Sequence, residues 1–303
     1  FAEPLRLPDM RQAHLQGASR READELATPL SPLTMRGAWW ALQRRLIHLG
    51  RHWSEGIRLG VETGFDSGST LDYVYRNAAH GRNALGRLMD RNYLDAIGWR
   101  GIRQRKIHLG QAIGAAMQAL RAAGGPVHVL DIAAGHGRYV LDALTGAQCP
   151  DSIRLRDYSP LNVEAGRALI AERGLQSVAS FEAADAYDPA SYRQLQPQPT
   201  LGIVSGLYEL FPDNALVMRS LQGLGEAIVP GGYLIYTGQP WHPQLEMIAR
   251  CLTSHRAGQD WVMRRRSQLE MDQLVESAGF HKVQQWIDED GIFTVSLAVR
   301  REA

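Results

Sequence analysis

The sequence predicts an α/β domain built on a mostly parallel sheet that ends in one antiparallel hairpin, with a helical segment ahead of it. Three observations carry this. From Val127 onward, short β-branched apolar runs alternate with helical patterns, as in strands joined by crossover helices. The first of these runs, VHVLDI, leads into a glycine-containing turn and then a helix from Tyr139. The tail HKVQQWIDEDGIFTVSLAVR reads as two strands joined at Asp290-Gly291, a hairpin signal.

The elements follow in order. The first 30 residues or so are polar with scattered prolines, and read as an extended arm. Ser31-Pro32 then opens a helix expected to run from Met35 to the late fifties. Its apolar stripe of Trp39, Leu42, Leu46 and Leu49 is expected to pack on the core, with a membrane surface as the other candidate for the Trp39-Trp40/Arg44-Arg45 helix. Gly64–Thr70 reads as a loop. A Tyr- and Arg-rich helical stretch follows, then a helix carrying Ile102, Ile113, Met117 and Leu120 that stops at Gly124-Gly125-Pro126. This divides the chain into an arm and helical cap, residues 1–123, and an α/β domain, residues 124–303. In that domain IRLRDY, SVASFEAAD, TLGIVSG and YLIYTG are the further strands. LNVEAGRALIAERGL is a helix capped at Ser159 with Pro160 in its first turn, and Ser267-Gln-Leu-Glu270 is a capping box before another.

Composition narrows the class. The chain has 303 residues, 45% hydrophobic and 21% charged, with net charge +1. That balance argues against a nucleic-acid partner, which would call for a basic surface. Cys149 and Cys251 form no disulfide framework, so a reducing, cytoplasmic setting is expected. No apolar run reaches the length of a membrane span and no leader is legible. The chain opens at Phe1 rather than Met, as expected of a piece of a longer one. His48 and His52 have the spacing of a metal pair but lack a third ligand, so no metal is expected. Arg264-Arg265-Arg266 reads as a solvated run before a capped helix.

The segment Asp131-Ile-Ala-Ala-Gly135-His-Gly137-Arg138 carries the chemistry. A strand that turns through glycines into a helix lets the backbone approach a ligand closely, and two ligand types use it: dinucleotides and S-adenosylmethionine. The dinucleotide fingerprint needs a third glycine where Val140 stands, and so fails. Asp157 closes the next strand, where an acid can accept both hydroxyls of a ribose. Asp185-Ala186 closes the third, where an acid and a backbone amide can meet an adenine edge. Plain strand-end turns are the alternative for both acids.

DIAAGHGRY, RDYSPLNVEAGRALI, EAADAYD and LGEAIVPGGYLIYTG, in this order, resemble the successive motifs of class I S-adenosylmethionine-dependent methyltransferases. The resemblance covers roughly Val127 to Arg300. Its first motif departs from the commonest form, which has glycine where Ala133 stands. The resemblance implies a Rossmann-like seven-stranded sheet with a reversed last strand. It also implies a donor site of Asp131, Ala133, Gly135, Gly137, Asp157, Tyr158, Asp185, Ala186, Ser205 and Gly206, with S-adenosylhomocysteine as product. More narrowly, YVYRN, GWRGIRQRK, GLYELFPDN and TGQPWHPQLE resemble a bacterial methyltransferase family whose domain often lies beside, or is fused to, a lysophospholipase-like α/β-hydrolase. That implies a hydrolase partner but no particular substrate; a small or amphipathic acceptor is expected, with a lipid-like one a candidate from the hydrolase association and the Trp39-Trp40/Arg44-Arg45 helix.

Methyl transfer from a sulfonium needs orientation and water exclusion more than a fixed catalytic signature. After the fourth strand, Tyr208 is a candidate to line the methyl path or else a core aromatic, and Glu209 a candidate to hold or deprotonate the acceptor. After the fifth, His242 is the leading candidate for a general base, against a histidine simply bonded to backbone. Gln239 and Trp241 are acceptor-side candidates in the same loop. Tyr73, Tyr75 and Arg76 in the cap are candidates for donor-carboxylate or acceptor contacts, and the GWRGIR segment with Arg100 and Arg103 for an anionic group. The competing function is a non-catalytic S-adenosylmethionine-binding module that regulates a hydrolase partner.

Overall fold

The structure, a computed structural model, describes residues 18–144, 149–193 and 195–301. The expected extended arm lies mostly outside them. Its described end is a helix, α1 (Ala18–Ala27).

Seven strands form one sheet in the order β3-β2-β1-β4-β5-β7-β6. Strands β1 (His128–Asp131), β2 (Ser152–Asp157), β3 (Ala179–Ala183), β4 (Leu201–Val204) and β5 (Tyr233–Gly238) are parallel. β7 (Thr294–Arg300) inserts antiparallel beside β5 and pairs with β6 (Phe280–Ile287). The hairpin turns at Gly291, whose φ of +68° suits the residue without a Cβ. β4 is buried at every position, which is why LGIV carries no alternation. Strand order reverses between β1 and β4. Their carboxyl ends therefore open a crevice at the sheet's edge, the usual ligand position of such sheets.

The cap is five helices: α2 (Met35–Gly50), α3 (Glu55–Thr63), α4 (Gly68–Arg76), α5 (Ala84–Leu94) and α6 (Ile97–Ala122). Short polar caps at Thr34, Ser54, Ser67 and Asn83 start the first four. The single helix expected from Met35 to the late fifties is thus two. Ser54 stops the first by capping the second, with its Oγ also donating to Asp90 at 2.5 Å. Thr34, not Ser31, is the N-cap of α2 and accepts from Gly37 N. The stripe of Trp39, Leu42, Leu46 and Leu49 faces outward, each about half exposed, so the expected packing on the core is overturned. The packed face of α2 carries Gly37, Trp40, Ile47 and Gly50 instead.

Helix α6 is about 39 Å long at 1.5 Å per residue. Its Leu109, Ala112, Ile113, Ala116 and Met117 share one core with β1, β2, β4, β5 and β7. On the sheet's other face, α9 (Asn214–Ala227) and α11 (Gln268–Ser277) bury Val217, Leu221, Leu224, Leu274 and Val275. Ser267 caps α11 by accepting from Glu270 N, as the capping box predicts. The glycine turn enters α7 (Arg138–Ala143), and α8 (Pro160–Glu172) and α10 (Leu245–Cys251) complete the helices used below.

Candidate active site

Two adjoining cavities sit at the carboxyl edge of the sheet under the cap. The larger, about 750 Å³, runs along the loops that follow β1, β2, β3 and β4. The smaller, about 160 Å³, lies between the cap and the segments after β4 and β5. Asp66, Leu71, Arg105, Gly206 and Leu210 line both, so the two meet at these residues.

The glycine turn makes the floor of the larger cavity. Gly135 and Gly137 have φ of +57° and +75°. A Cβ on Gly137 would lie 2.4 Å from Leu155 Cδ1, so backbone and packing both require glycine. Gly68, at the start of α4, comes so close that a Cβ there would stand 2.9 Å from Gly135 Cα. The helical cap therefore touches the turn directly. Asp72 of α4 pairs with Arg138 just beyond the turn and locks the contact.

Three acids are held ready around this floor. Asp131 is fully buried, accepts from Tyr139 OH and from Ala133 N at 3.2 Å, and burial pushes its carboxyl up to about 7. Asp157 accepts from Gly135 N at 3.0 Å, Ser159 N at 2.9 Å and Asn162 Nδ2 at 3.1 Å. Burial raises its carboxyl too, and these three bonds oppose the rise. Asp185 is exposed to the cavity and accepts from Tyr187 N at 2.9 Å. Tyr158 lies on the rim beside the His255 ring, which with Ser254 Oγ and His255 N holds Asp66. The buried Ser205 Oγ and Tyr187 OH have no protein partner.

The smaller cavity has aromatic and aliphatic walls, including Phe65, Trp99, Trp261 and Phe293. Its polar groups converge from three elements. Arg105, on the inner face of α6, is 2% exposed and lies over the Phe293 ring, 4.9 Å from its centre. Its Nε has no partner. Its Nη1 is 3.6 Å from Glu209 Oε1, an ion pair too long for a hydrogen bond. Gly206 makes room for it, since a Cβ there would be 3.2 Å from Nη2. Burial raises the Glu209 carboxyl and Arg105 opposes the rise. Gln239 is buried with Nε2 unpartnered, and His242 faces the same space.

A model of the family described as "Putative methyltransferase" matches residues 1–300. The chain belongs to that family. It is 59% identical over 274 residues to the uncharacterized protein YnbC of Escherichia coli strain K12, covering 90% of this chain and 46% of that protein. The chain thus spans about half the length of the curated relative it matches. A solved structure from Bordetella parapertussis, described as a possible exported protein, is similar at TM-score 0.67 and 18% identity, over 97% of this chain and 98% of that one. The magnesium protoporphyrin IX methyltransferase of Synechocystis PCC 6803 with bound SAH is similar at TM-score 0.52 and 14% identity, over 79% and 98%. The fold is that of class I methyltransferases: seven strands, mostly parallel, with an antiparallel carboxyl-terminal pair.

Within this methyltransferase fold, the residues singled out from sequence divide. Ala133, Gly135, Gly137, Asp157, Tyr158, Asp185, Ala186, Ser205 and Gly206 all line the larger cavity, and Asp131 lies buried under it. Tyr75 lines it as well, with its ring near Tyr139. Tyr73 does not. Its hydroxyl donates to Asp90 inside the cap and accepts from His80 N. Arg76 is half exposed and pairs with Asp72. Tyr208 lines neither cavity, because its hydroxyl bonds Ser220 Oγ at 3.0 Å in the core behind β4. The core-aromatic reading is the one its geometry fits. Trp241 is largely exposed and also lines neither.

His242 is placed as expected but set for another role. Its Nδ1 accepts from Gln244 N at 3.1 Å, so in the neutral ring Nε2 carries the proton. Burial drops its pKa to about 4, which keeps the ring neutral. It presents a donor, not a base. The arginines need two corrections. Arg100 and Arg103 bond the carbonyls of Asp95 and Leu94, and the buried cation is Arg105, two residues on. A legible signal existed: Arg105 falls on the apolar stripe, three residues after Ile102 and four before Leu109. Arg264 and Arg266 are buried rather than solvated. Arg266 donates to Tyr208 O, Phe211 O and Asn214 Oδ1, and Arg264 N to Glu209 O at 2.8 Å, fixing the turn that carries Glu209.

Proposed function

We propose that the protein transfers a methyl group from S-adenosylmethionine to a small or amphipathic acceptor, lipid-like molecules included. The observation that supports this best is the pairing of the two cavities: a cleft that gathers acids and backbone amides around the glycine turn meets a more apolar one at Arg105 and Gly206. The cleft fits the donor. It offers a backbone cradle that a Cβ would fill at Gly137, acids at the ends of β1, β2 and β3, and the unpartnered Ser205 Oγ. Bound there, the donor supplies an already activated methyl, so the chain's part is to orient and desolvate.

In this reading Asp157 accepts from the ribose hydroxyls and Asp185 with the Ala186 amide meets the adenine edge. The turn amides face the amino-acid end, with Asp131 buried just beneath them. Tyr75 and Ser205 line the donor side, and Gly206 with Arg105 and Leu210 shapes the junction. In the apolar cavity Glu209 takes or holds the acceptor's proton, while Arg105, Gln239 and the Nε2–H of His242 donate to its polar atom. The apolar cavity favours catalysis over the binding-only role, since a module that merely senses the donor needs no second chamber. A hydrolase partner stays part of the proposal on the family resemblance alone.

Calorimetric titration with S-adenosylmethionine and S-adenosylhomocysteine tests the donor site. Micromolar binding, weakened at least about tenfold by Asp157→Ala, is the expected result. No binding of either by folded protein, or saturable NADH binding instead, would overturn the reading. S-adenosylhomocysteine release in lipid extract, lost in Glu209→Gln, separates catalysis from sensing.

A further inference from the structure

The outward face of α2 has no use in the site. At about 100° per residue, Met35, Trp39, Leu42, Leu46 and Leu49 fall within an arc of about 80° and form a ridge about 21 Å long. None is covered. Met35 is 91% exposed, Leu33 just ahead of it 94%, and the other four about half. The start of α5 lies against the turn after α2: Arg82 N donates to Trp53 O, a Cβ on Gly86 would stand 2.4 Å from the same oxygen, and Leu85 and Leu88 are 59% and 67% exposed. Apolar surface on this scale marks a contact.

The charges around the ridge say what kind. No Asp or Glu occurs from Leu26 to Ser54, nor from Asn77 to Met89. Arg36 and Arg44 are neutralised by Glu246 and Asp260 from the neighbouring elements. Arg45, Arg51, Arg82 and Arg87 are exposed and have no ionic partner among the described residues. The exposed face of α2 is therefore apolar with Arg45 and Arg51 on and just past the same helix, and neither it nor the nearby start of α5, with Arg82 and Arg87, carries an acidic residue.

We infer that this face docks on an anionic lipid surface, with the ridge in the acyl boundary and the arginines at the headgroups. That is the pattern of interfacial helices: an apolar face flanked by Arg, with Trp at the boundary. Arginine stems can lie along the apolar boundary while their guanidinium groups stay at phosphate level. A protein partner would have to supply carboxylates for these arginines. Ile47, on the inner side of the same helix, lines the apolar cavity. The docking itself does not depend on the methyl-transfer reading.

Co-sedimentation with phosphatidylcholine vesicles, plain or with about a third of the lipid as phosphatidylglycerol, tests it. The protein is expected to bind the anionic vesicles, less so as salt rises. Leu42→Glu with Leu46→Glu should lower the partition about tenfold or more without changing the melting temperature, since both side chains are exposed. Arg45→Glu with Arg87→Glu should abolish the preference for anionic lipid. Folded protein that binds neither vesicle, or binds equally well with both leucines replaced, overturns the proposal. Self-association in sedimentation velocity, abolished by the leucine pair and without vesicle binding, overturns it in favour of a second copy of the chain.

Discussion

At the scale of single residues, the site is governed by charges placed out of water. Asp131 shows the consequence for pH. Burial pushes its carboxyl up to about 7, whereas the cationic group of a donor bound above it, as proposed, would favour the carboxylate. On the proposed donor site, binding should therefore release a proton below that pH. Donor affinity should be full above pH 7 and fall toward a limit of about tenfold per pH unit below it. Asp131→Asn should flatten that profile; a wild-type affinity constant from pH 5 to 8, measured by calorimetry, would refute the assignment. Arg105 and Glu209 make the second case. Removing Arg105 alone leaves a carboxylate buried and uncompensated, so Arg105→Met should cost about 3–5 kcal/mol in denaturant unfolding. Adding Glu209→Gln should recover much of that, and simple additivity of the two costs would mean the pair is not coupled.

At the scale of elements, the turn after β4 is held from outside itself. Tyr208–Leu210 is one short turn with no side-chain cap, and Arg266 satisfies two of the carbonyls around it. Arg266→Met should destabilise the protein by about 3 kcal/mol or more, since two buried carbonyls and Asn214 lose a charged donor. It should also lower turnover more than donor affinity, because the turn carries Glu209 and not the glycine floor. Equal loss of both would point to general unfolding rather than a misplaced Glu209. The sequence motif RRRSQ shows nothing of this. An arginine run is solvated in most settings, and only the bend of the segment onto α9 buries its first and third members. The stripe of α2 is the mirror case. Its periodicity is legible, but periodicity states that a helix has an apolar side, not which way that side faces.

At the scale of the whole molecule, cap and sheet form one core. Leu109, Ile113 and Met117 of α6 pack with Val129, Ile203, Ile235 and Val295 from four strands. A fragment of residues 124–303 would expose that face of the sheet. It is expected to be aggregated or molten, with bound hydrophobic dye and no cooperative melt; a sharp two-state melt would show that the sheet holds its core without α6. The boundary expected at residue 123 thus runs through one shared core: the α/β half carries the glycine turn, and the cap supplies Tyr75, Arg105 and a wall of the apolar cavity.

The sequence by itself determined the alternation of strands and helices, the glycine turn, the acids at the strand ends and the terminal hairpin. Each is a local matter of periodicity, turn chemistry or a strand's last residue, and each is written within a dozen neighbouring positions. Only the tertiary structure decided what the distant pieces do together. It buried Arg105 against Glu209 and turned Tyr208 into the core. It also made His242 a donor through the Gln244 amide, and left the ridge of α2 facing out. These outcomes depend on which surfaces meet across the fold, and one-dimensional spacing carries no record of that.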